Sequence, residues 1–248
     1  VGAHFERPDV AGDIEPKVAE IAPPPTAEQL RTVARREVEA ALDLEPDVER
    51  GLEIYRECAA CHGPEGWGLA NGSVPQIAGQ HWEVVVKQLA DMRAGNRDNV
   101  LMSVYASVEV IGGAQAVADV AGYIGTLEMS TDVDHGPGED LERGAELYAE
   151  QCVRCHGAAG EGDASRFVPR IQAQHFDYLA RQFEAIRTGR RRNADPEMAQ
   201  QIAGLDESDA RAVLDYVSRL EPPKELRAPP GWRNPDFVAP DDLAASGN

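Results

Sequence analysis

Two five-residue stretches, Cys58-Ala-Ala-Cys61-His62 and Cys152-Val-Arg-Cys155-His156, contain all four cysteines of this 248-residue chain. The pattern Cys-x-x-Cys-His is typical of covalent attachment of c-type haem. The two thiols add to vinyl groups along one edge of the porphyrin, and the histidine that follows coordinates the iron from one face. The two motifs therefore predict two covalently bound haem c groups, held by the four thiols, with His62 and His156 as axial ligands of iron.

Three other uses of paired cysteines are a four-thiolate zinc site, a redox-active dithiol and a pair of disulfides. A Cys-x-x-Cys zinc pair normally meets its partner pair within about 15–20 residues, and Cys58 and Cys152 are much further apart than that. None of these uses explains a histidine directly after both pairs. The haem interpretation is therefore favoured over all three.

Composition restricts the class of partner and the compartment. The formal net charge of −19 argues against nucleic acid and anionic lipid as partners and favours redox proteins with basic docking surfaces. No apolar run approaches the ~20 residues of a membrane span. Covalent haem attachment takes place outside the bacterial cytoplasm, so we expect a periplasmic, mature chain from which a signal peptide has been removed.

An internal repeat organises the chain around the two motifs. The sequence of residues 49–55, before the first motif, matches that of residues 142–148, and residues 74–82 match residues 168–176. Apolar stripes and the lack of period-two alternation predict an all-α fold. We predict an N-terminal extension (1–45), a first haem domain (46–129, the first repeat), a linker (130–138), a second haem domain (139–222, the second repeat) and a proline-rich C-terminal arm (223–248).

Local patterns give further structural predictions. Gly51 and Gly144 lie on the helices that lead into the motifs, and each would allow a second helix to cross closely. In the extension, Thr26 with Gln29 three residues later is a capping-box pattern that predicts the start of an amphipathic helix. The C-terminal arm is predicted to be irregular and pinned by Trp232 and Phe237.

The second axial ligand of each iron decides its chemistry. Met102 and Met198 occupy corresponding places after an Arg-x-Gly turn, with Asn99 and Asn193 shortly before them, so we predict methionine ligation in both repeats. Met92 and Met129 have no methionine counterpart and are assigned to the core or linker. The alternative is bis-histidine ligation through His81 and His175, which also correspond and would lower the potential.

Each motif histidine also needs a partner that orients its second ring nitrogen. Pro75 and Pro169 both lie 13 residues after the motif histidine. We predict that their carbonyl groups accept a hydrogen bond from His62 and His156; otherwise the two prolines only shape the loop beneath the haem.

Over residues 46–222 the chain resembles dihaem class I cytochromes c of the cytochrome c4 type, through the tandem motifs, the Pro-x-Ile-Ala-Gly-Gln-His segment ending at His81, Lys87-Gln-Leu and the loop from Asn99 to Met102. The resemblance implies two helical cytochrome c domains related by a pseudo-twofold axis. It also implies haem edges near one another at the domain interface, histidine and methionine ligation, and periplasmic electron transfer. Residues 1–45 and the arm fall outside the resemblance.

We therefore expect an electron carrier without catalytic activity of its own, which relays single electrons between two haems and redox partners. One alternative is the electron-accepting subunit of a periplasmic dehydrogenase, for example of inorganic sulfur compounds, with the extensions serving a dedicated partner or a homodimer. A dihaem peroxidase-like enzyme is the third hypothesis. It is disfavoured because both repeats keep a candidate methionine and neither shows an extra acid–base group beside it.

Overall fold

The computed structural model describes residues 24–237, so most of the predicted N-terminal extension and the end of the arm lie outside the described residues. The predicted all-α class is confirmed: within residues 24–237 the chain forms helices and turns, and β pairing is limited to two isolated bridges. The helices are α1 (Ala27–Leu42), α2 (Val48–His62), α3 (Trp82–Arg93), α4 (Val100–Tyr105), α5 (Val108–Ile111), α6 (Ala114–Thr126), α7 (Leu141–Leu147), α8 (Val153–His156), α9 (Phe176–Arg187), α10 (Pro196–Ile202) and α11 (Glu207–Ser218). None of the helices between residues 24 and 237 is long and apolar enough to cross a bilayer.

Two glycines set the helix crossings that carry the haem motifs, as the sequence predicts. A Cβ atom on Gly51 would lie 2.2 Å from the Asp119 carbonyl oxygen of α6, and one on Gly144 would lie 2.2 Å from the Ala212 carbonyl oxygen of α11. Only a residue without a side chain permits such backbone approach. Each motif helix therefore packs directly on the last helix of its own repeat.

The helix that carries the second motif contains one turn of π-helix, Tyr148–Cys152, between α7 and α8. The repeat explains this turn. Tyr55 is followed by two residues before Cys58, whereas Tyr148 is followed by three before Cys152. A single inserted residue in a helix is accommodated as a π-bulge, so the crossing at Gly144 and the second motif keep their places despite the insertion.

Helix α1 belongs to the first repeat in space, although it lies outside it in sequence. The predicted capping box is confirmed: Thr26 Oγ1 accepts from the Gln29 amide at 3.2 Å, and Gln29 Oε1 accepts from the Thr26 amide at 2.7 Å. The buried side of α1, which includes Val38 and Ala41, packs on α3 and α6. Most of the apolar face of this helix is thus covered by the first repeat, while Val33 stays exposed.

The C-terminal arm returns from the second repeat to the first. Met129 exchanges two backbone hydrogen bonds with the arm: its amide donates to the Leu226 carbonyl, and its carbonyl accepts from the Ala228 amide. Trp232 packs against Trp67 with ring centroids 5.7 Å apart and the ring planes tilted by 41°. Phe237 packs edge-on against Tyr55 of α2, at 6.0 Å, so both residues that were predicted to pin the arm contact the first repeat.

A buried amide completes the attachment of the arm. Asn234 is 2% exposed, and its Nδ2 donates to the Pro64 carbonyl at 2.7 Å and to the Tyr123 hydroxyl at 2.9 Å. Pro64 lies two residues after His62. The arm therefore closes over the loop that follows the first motif.

Reciprocal glutamine contacts join the two repeats. Gln174 of the second repeat accepts from the Gln76 amide at 3.0 Å and donates to the Gln76 carbonyl at 2.8 Å. In the same way, Gln80 of the first repeat accepts from the Arg170 amide at 2.9 Å and donates to the Arg170 carbonyl at 3.0 Å. Because Gln76 and Arg170 directly follow Pro75 and Pro169, each repeat holds the proline loop of the other.

Candidate haem sites and the interface between them

Each motif histidine is buried and contacts the proline that lies 13 residues after it. His62 Nδ1 lies 3.1 Å from the Pro75 carbonyl oxygen, and His156 Nδ1 lies 3.3 Å from that of Pro169. Since a carbonyl only accepts, Nδ1 carries the proton and Nε2 presents its lone pair. Burial lowers the pKa of both imidazoles, and the proline hydrogen bonds oppose part of that shift. Both rings are thus held in the tautomer that a metal-ligating histidine requires.

Sequence reasoning missed two further glycines that shape these loops. Gly68 and Gly162 have φ of +77° and +72°, and a Cβ atom on either would lie 2.6 Å from the carbonyl of Pro75 or Pro169. Their amides donate to the carbonyls of the motif histidines at 2.8 Å. The signal was present in the sequence, because each glycine stands six residues after its histidine.

The four cysteines form no disulfide; Cys61 is exposed and the other three are partly shielded. Burial, with smaller effects of neighbouring charges, raises the pKa of Cys58 and of Cys152 to about 11. Reactive dithiols depend on a lowered thiol pKa, so Cys58 and Cys152 do not resemble the attacking thiol of a redox pair. Among residues 24–237 no three or more His, Cys, Asp or Glu side chains converge as a metal-binding group, which disfavours the four-thiolate zinc alternative.

The two predicted methionine ligands lie half-buried on short helices. Met102 is on α4, where Asn99 caps the helix by accepting from the Met102 amide at 3.2 Å. Met198 is on α10, where the same bond is made by Asp195, also at 3.2 Å. Asn193 therefore does not repeat the role of Asn99: its Nδ2 instead donates to Asp91 of the first repeat at 2.8 Å. Their ligation of iron stays a prediction.

The histidines of the bis-histidine alternative lie at the interface between the repeats. His81 Nε2 is 2.8 Å from the Glu161 carbonyl oxygen, and His175 Nε2 is 2.9 Å from that of Trp67. Trp67 and Glu161 are equivalent positions of the two repeats. In each ring the Nε2 atom, which could otherwise ligate iron, is used in a hydrogen bond to the other repeat. Met92 and Met129, assigned to the core or linker, are 6% and 4% exposed.

A second set of interface residues carries an unusual charge arrangement. Arg97 and Arg191 both donate hydrogen bonds to the same two side-chain oxygens, those of Gln88 and Gln182, with N–O distances of 2.7 to 3.2 Å. Arg97 is 7% exposed, and burial together with the Arg97 charge lowers the pKa of Arg191 to about 10. Among residues 24–237 neither guanidinium forms a direct ion pair, although the nearby charge of Asp91 opposes part of the lowering of the Arg191 pKa.

A cavity of about 170 Å³ opens beside this arginine pair. Its lining includes Arg97, Arg190 and Arg191, together with Asp98 and with Asn99, which caps the Met102 helix. Arg97 is buried and Arg191 half-buried, and the side chains that hydrogen-bond to both are neutral. With three cations and one carboxylate in its lining, the cavity favours anionic groups such as the propionates of haem.

These features define a c-type cytochrome: paired free thiols on a helix, a buried imidazole with Nε2 presented for iron, and a proline carbonyl that fixes the ring. A protein-family model for cytochrome c matches residues 141–221. Cytochrome c4 of Azotobacter vinelandii is 32% identical over 189 residues, covering 70% of this chain and 89% of the relative. The chain belongs to the cytochrome c4 family, and it is an electron-transfer cytochrome with covalently bound haem c.

Two further comparisons agree with this placement. A protein of Stutzerimonas stutzeri (strain A1501) described as a thiosulfate dehydrogenase electron acceptor is 30% identical over 201 residues, covering 72% of this chain and 90% of that protein. The crystal structure of reduced recombinant cytochrome c4 from Pseudomonas stutzeri superposes with a TM-score of 0.64 at 27% identity, covering 71% of this chain and 100% of that one. The predicted family and tandem cytochrome c fold are therefore confirmed.

Proposed function

We propose that each repeat binds one haem c and that the chain relays single electrons between the two haems and partner proteins in the periplasm. Iron is ligated by His62 and Met102 in the first repeat and by His156 and Met198 in the second. The observation that carries the proposal is the duplicated proximal site, in which two buried imidazoles contact two proline carbonyls at 3.1 and 3.3 Å.

The surrounding residues fix the position and orientation of the proposed iron ligands. The haem supplies an iron that gains or loses one electron. Gly68 and Gly162 let the loops close on the prolines, the prolines fix the imidazoles, and the glutamine contacts hold each proline loop from the opposite repeat. A site whose ligands are fixed in this way changes oxidation state with little rearrangement. If His62 and Met102, and His156 and Met198, hold the two irons, no ligand position would be left for a substrate, so we propose a carrier without catalytic activity.

Haem number and ligation are tested together on the purified protein. Mass spectrometry should show the chain mass plus two haems, since all four thiols are free to form thioethers. The ferric absorption spectrum should show the long-wavelength iron–sulfur charge-transfer band at two equivalents per chain. One equivalent would restore the peroxidase-like hypothesis, and none would point to bis-histidine ligation.

We further propose that Arg97 and Arg191 compensate haem propionates at the interface between the repeats. Loss of either cation should lower the potential of the nearby iron, because a positive charge disfavours the ferric state. At an effective dielectric constant of about 20 such an effect is ~1 kcal/mol, or about 40 mV for one electron.

Redox titration of Arg97→Gln and Arg191→Gln checks this expectation. The matched control is Arg192→Gln, since Arg192 is exposed and donates only to the Gly95 carbonyl, at 2.5 Å. Equal potentials in all three variants would contradict a role of the buried pair.

A second candidate function follows from the likeness to the thiosulfate dehydrogenase electron acceptor. Here the chain takes its electrons from one periplasmic dehydrogenase that oxidises an inorganic sulfur compound. Copurification of a catalytic subunit from the native extract supports this assignment. A chain that elutes alone, and that a thiosulfate dehydrogenase cannot reduce in the presence of thiosulfate, contradicts it.

A further inference from the structure

The outer face of α4 differs in chemistry from the matching face of the second repeat. Val100, Leu101 and Val104 are 75%, 73% and 60% exposed, and Tyr105 is 46% exposed. We name these four residues the α4 apolar face. At 100° per residue, positions 100, 101, 104 and 105 form one contiguous strip of a helix surface.

Met102 does not belong to this face. Ala106, four residues after Met102 and on the same side of the helix, is 2% exposed, which shows that this side points inward. A haem held by Met102 would therefore approach α4 from the side of Ala106, away from Val100 and Val104.

The second repeat has the same helix without the same surface. Counted from the methionine, the residues of α10 that replace Leu101, Val104 and Tyr105 are polar: Glu197, Gln200 and Gln201. Exposed apolar residues scattered singly are normal, but a contiguous patch on one of two equivalent helices indicates a contact surface.

Charge and size indicate what covers the face. A second copy of this chain brings another net charge of −19, and such like charge opposes self-association. The face spans one short helix, about 9 Å at 1.5 Å per residue. A surface so small suits the transient encounters of redox proteins and is far below what a permanent dimer buries.

We propose that the α4 apolar face is the docking surface for a redox partner that has an apolar contact patch ringed by basic side chains. The partner is then within about one helix diameter, ~10 Å, of Met102. This inference rests on the proposed relay and adds that electrons are exchanged with that partner through the first repeat rather than the second.

The test is the triple exchange Leu101→Glu/Val104→Gln/Tyr105→Gln, which gives α4 the polar residues of α10. The probe is a small, lysine-rich c-type cytochrome of positive net charge, and the readout is the second-order electron-exchange rate in stopped flow. We expect the rate to fall about tenfold because the complex loses its buried apolar area. Exchange with a small-molecule reductant and both iron–sulfur bands should not change.

The matched control is Val33→Gln, which removes an apolar side chain that is 55% exposed on α1. It should leave the rate unchanged. An unaltered rate in the triple variant, or an equal fall in the control, overturns the inference. Loss of an iron–sulfur band in the triple variant also overturns it, because that loss would place the face against haem. Sedimentation that detects a wild-type dimer absent from the triple variant reassigns the face to a second copy.

One more outcome separates the docking surface from the relay itself. A wild-type chain that exchanges no electrons with the probe would overturn the relay itself, and the docking surface with it. In contrast, normal exchange by the wild type and by the triple variant alike leaves the relay standing and removes only the docking surface.

Discussion

Replacing Met102 by alanine is expected to lower the potential of one haem by a few tenths of a volt, within the ~0.8 V range that axial ligands span. The physical reason is that a thioether sulfur favours ferrous iron, and its loss removes that preference. Redox titration followed by absorption should resolve one shifted and one unshifted component. The iron–sulfur charge-transfer band should fall from two equivalents to one.

Met198→Ala is the partner experiment, and it should shift the other component. Met92→Leu is the control, since Met92 is buried in α3 and has no methionine counterpart in the second repeat. Loss of both bands in either single variant would contradict independent ligation in the two repeats. A band that survives Met102→Ala at full strength would remove Met102 from the ligand set.

The second large effect is expected from Gly51→Ala. Alanine normally stabilises a helix by about 1 kcal/mol relative to glycine, but here its Cβ atom would lie 2.2 Å from the Asp119 carbonyl oxygen. Overpacking of this kind costs ~1–3 kcal/mol and occasionally more. Because the obstacle is backbone, we expect a cost at or above the top of that range, seen as a lower urea midpoint in circular dichroism.

Gly125→Ala supplies the comparison within the same repeat. Gly125 is in α6, and a Cβ atom there would meet only the Gln80 carbonyl oxygen, at an ordinary 3.6 Å. This variant should be neutral or slightly more stable than wild type. Equal midpoints for Gly51→Ala and the wild type would show that the crossing of α2 and α6 relaxes without cost.

The features that were predictable from the sequence are those whose cause is local. A capping box at Thr26 depends on four adjacent residues, and the crossing at Gly51 depends on one missing side chain, so both could be inferred directly. The 13-residue spacing from His62 to Pro75 likewise specifies a loop of fixed length. The internal repeat supports this inference further, because the same 13-residue spacing occurs at both motif histidines.

The features that were missed arise from contacts between distant parts of the chain. Asn193 resembles Asn99 in sequence, yet the N-cap of α10 is Asp195. Asn193 instead contacts Asp91 across the interface. Nothing local distinguishes these two uses of an asparagine. In the same way, pinning by Trp232 was predictable from its bulk, but only the fold shows that it packs against Trp67 of the first repeat.

The reciprocal glutamine contacts have a consequence for any truncation of the chain. Gln80 holds residue 170 and Gln174 holds residue 76, so the loop behind each proximal histidine is completed by the opposite repeat. A single repeat cut from the chain would leave these backbone groups without partners. The backbone behind each proximal histidine is therefore held by the opposite repeat, so a deletion of either repeat exposes the histidine-orienting loop of the other.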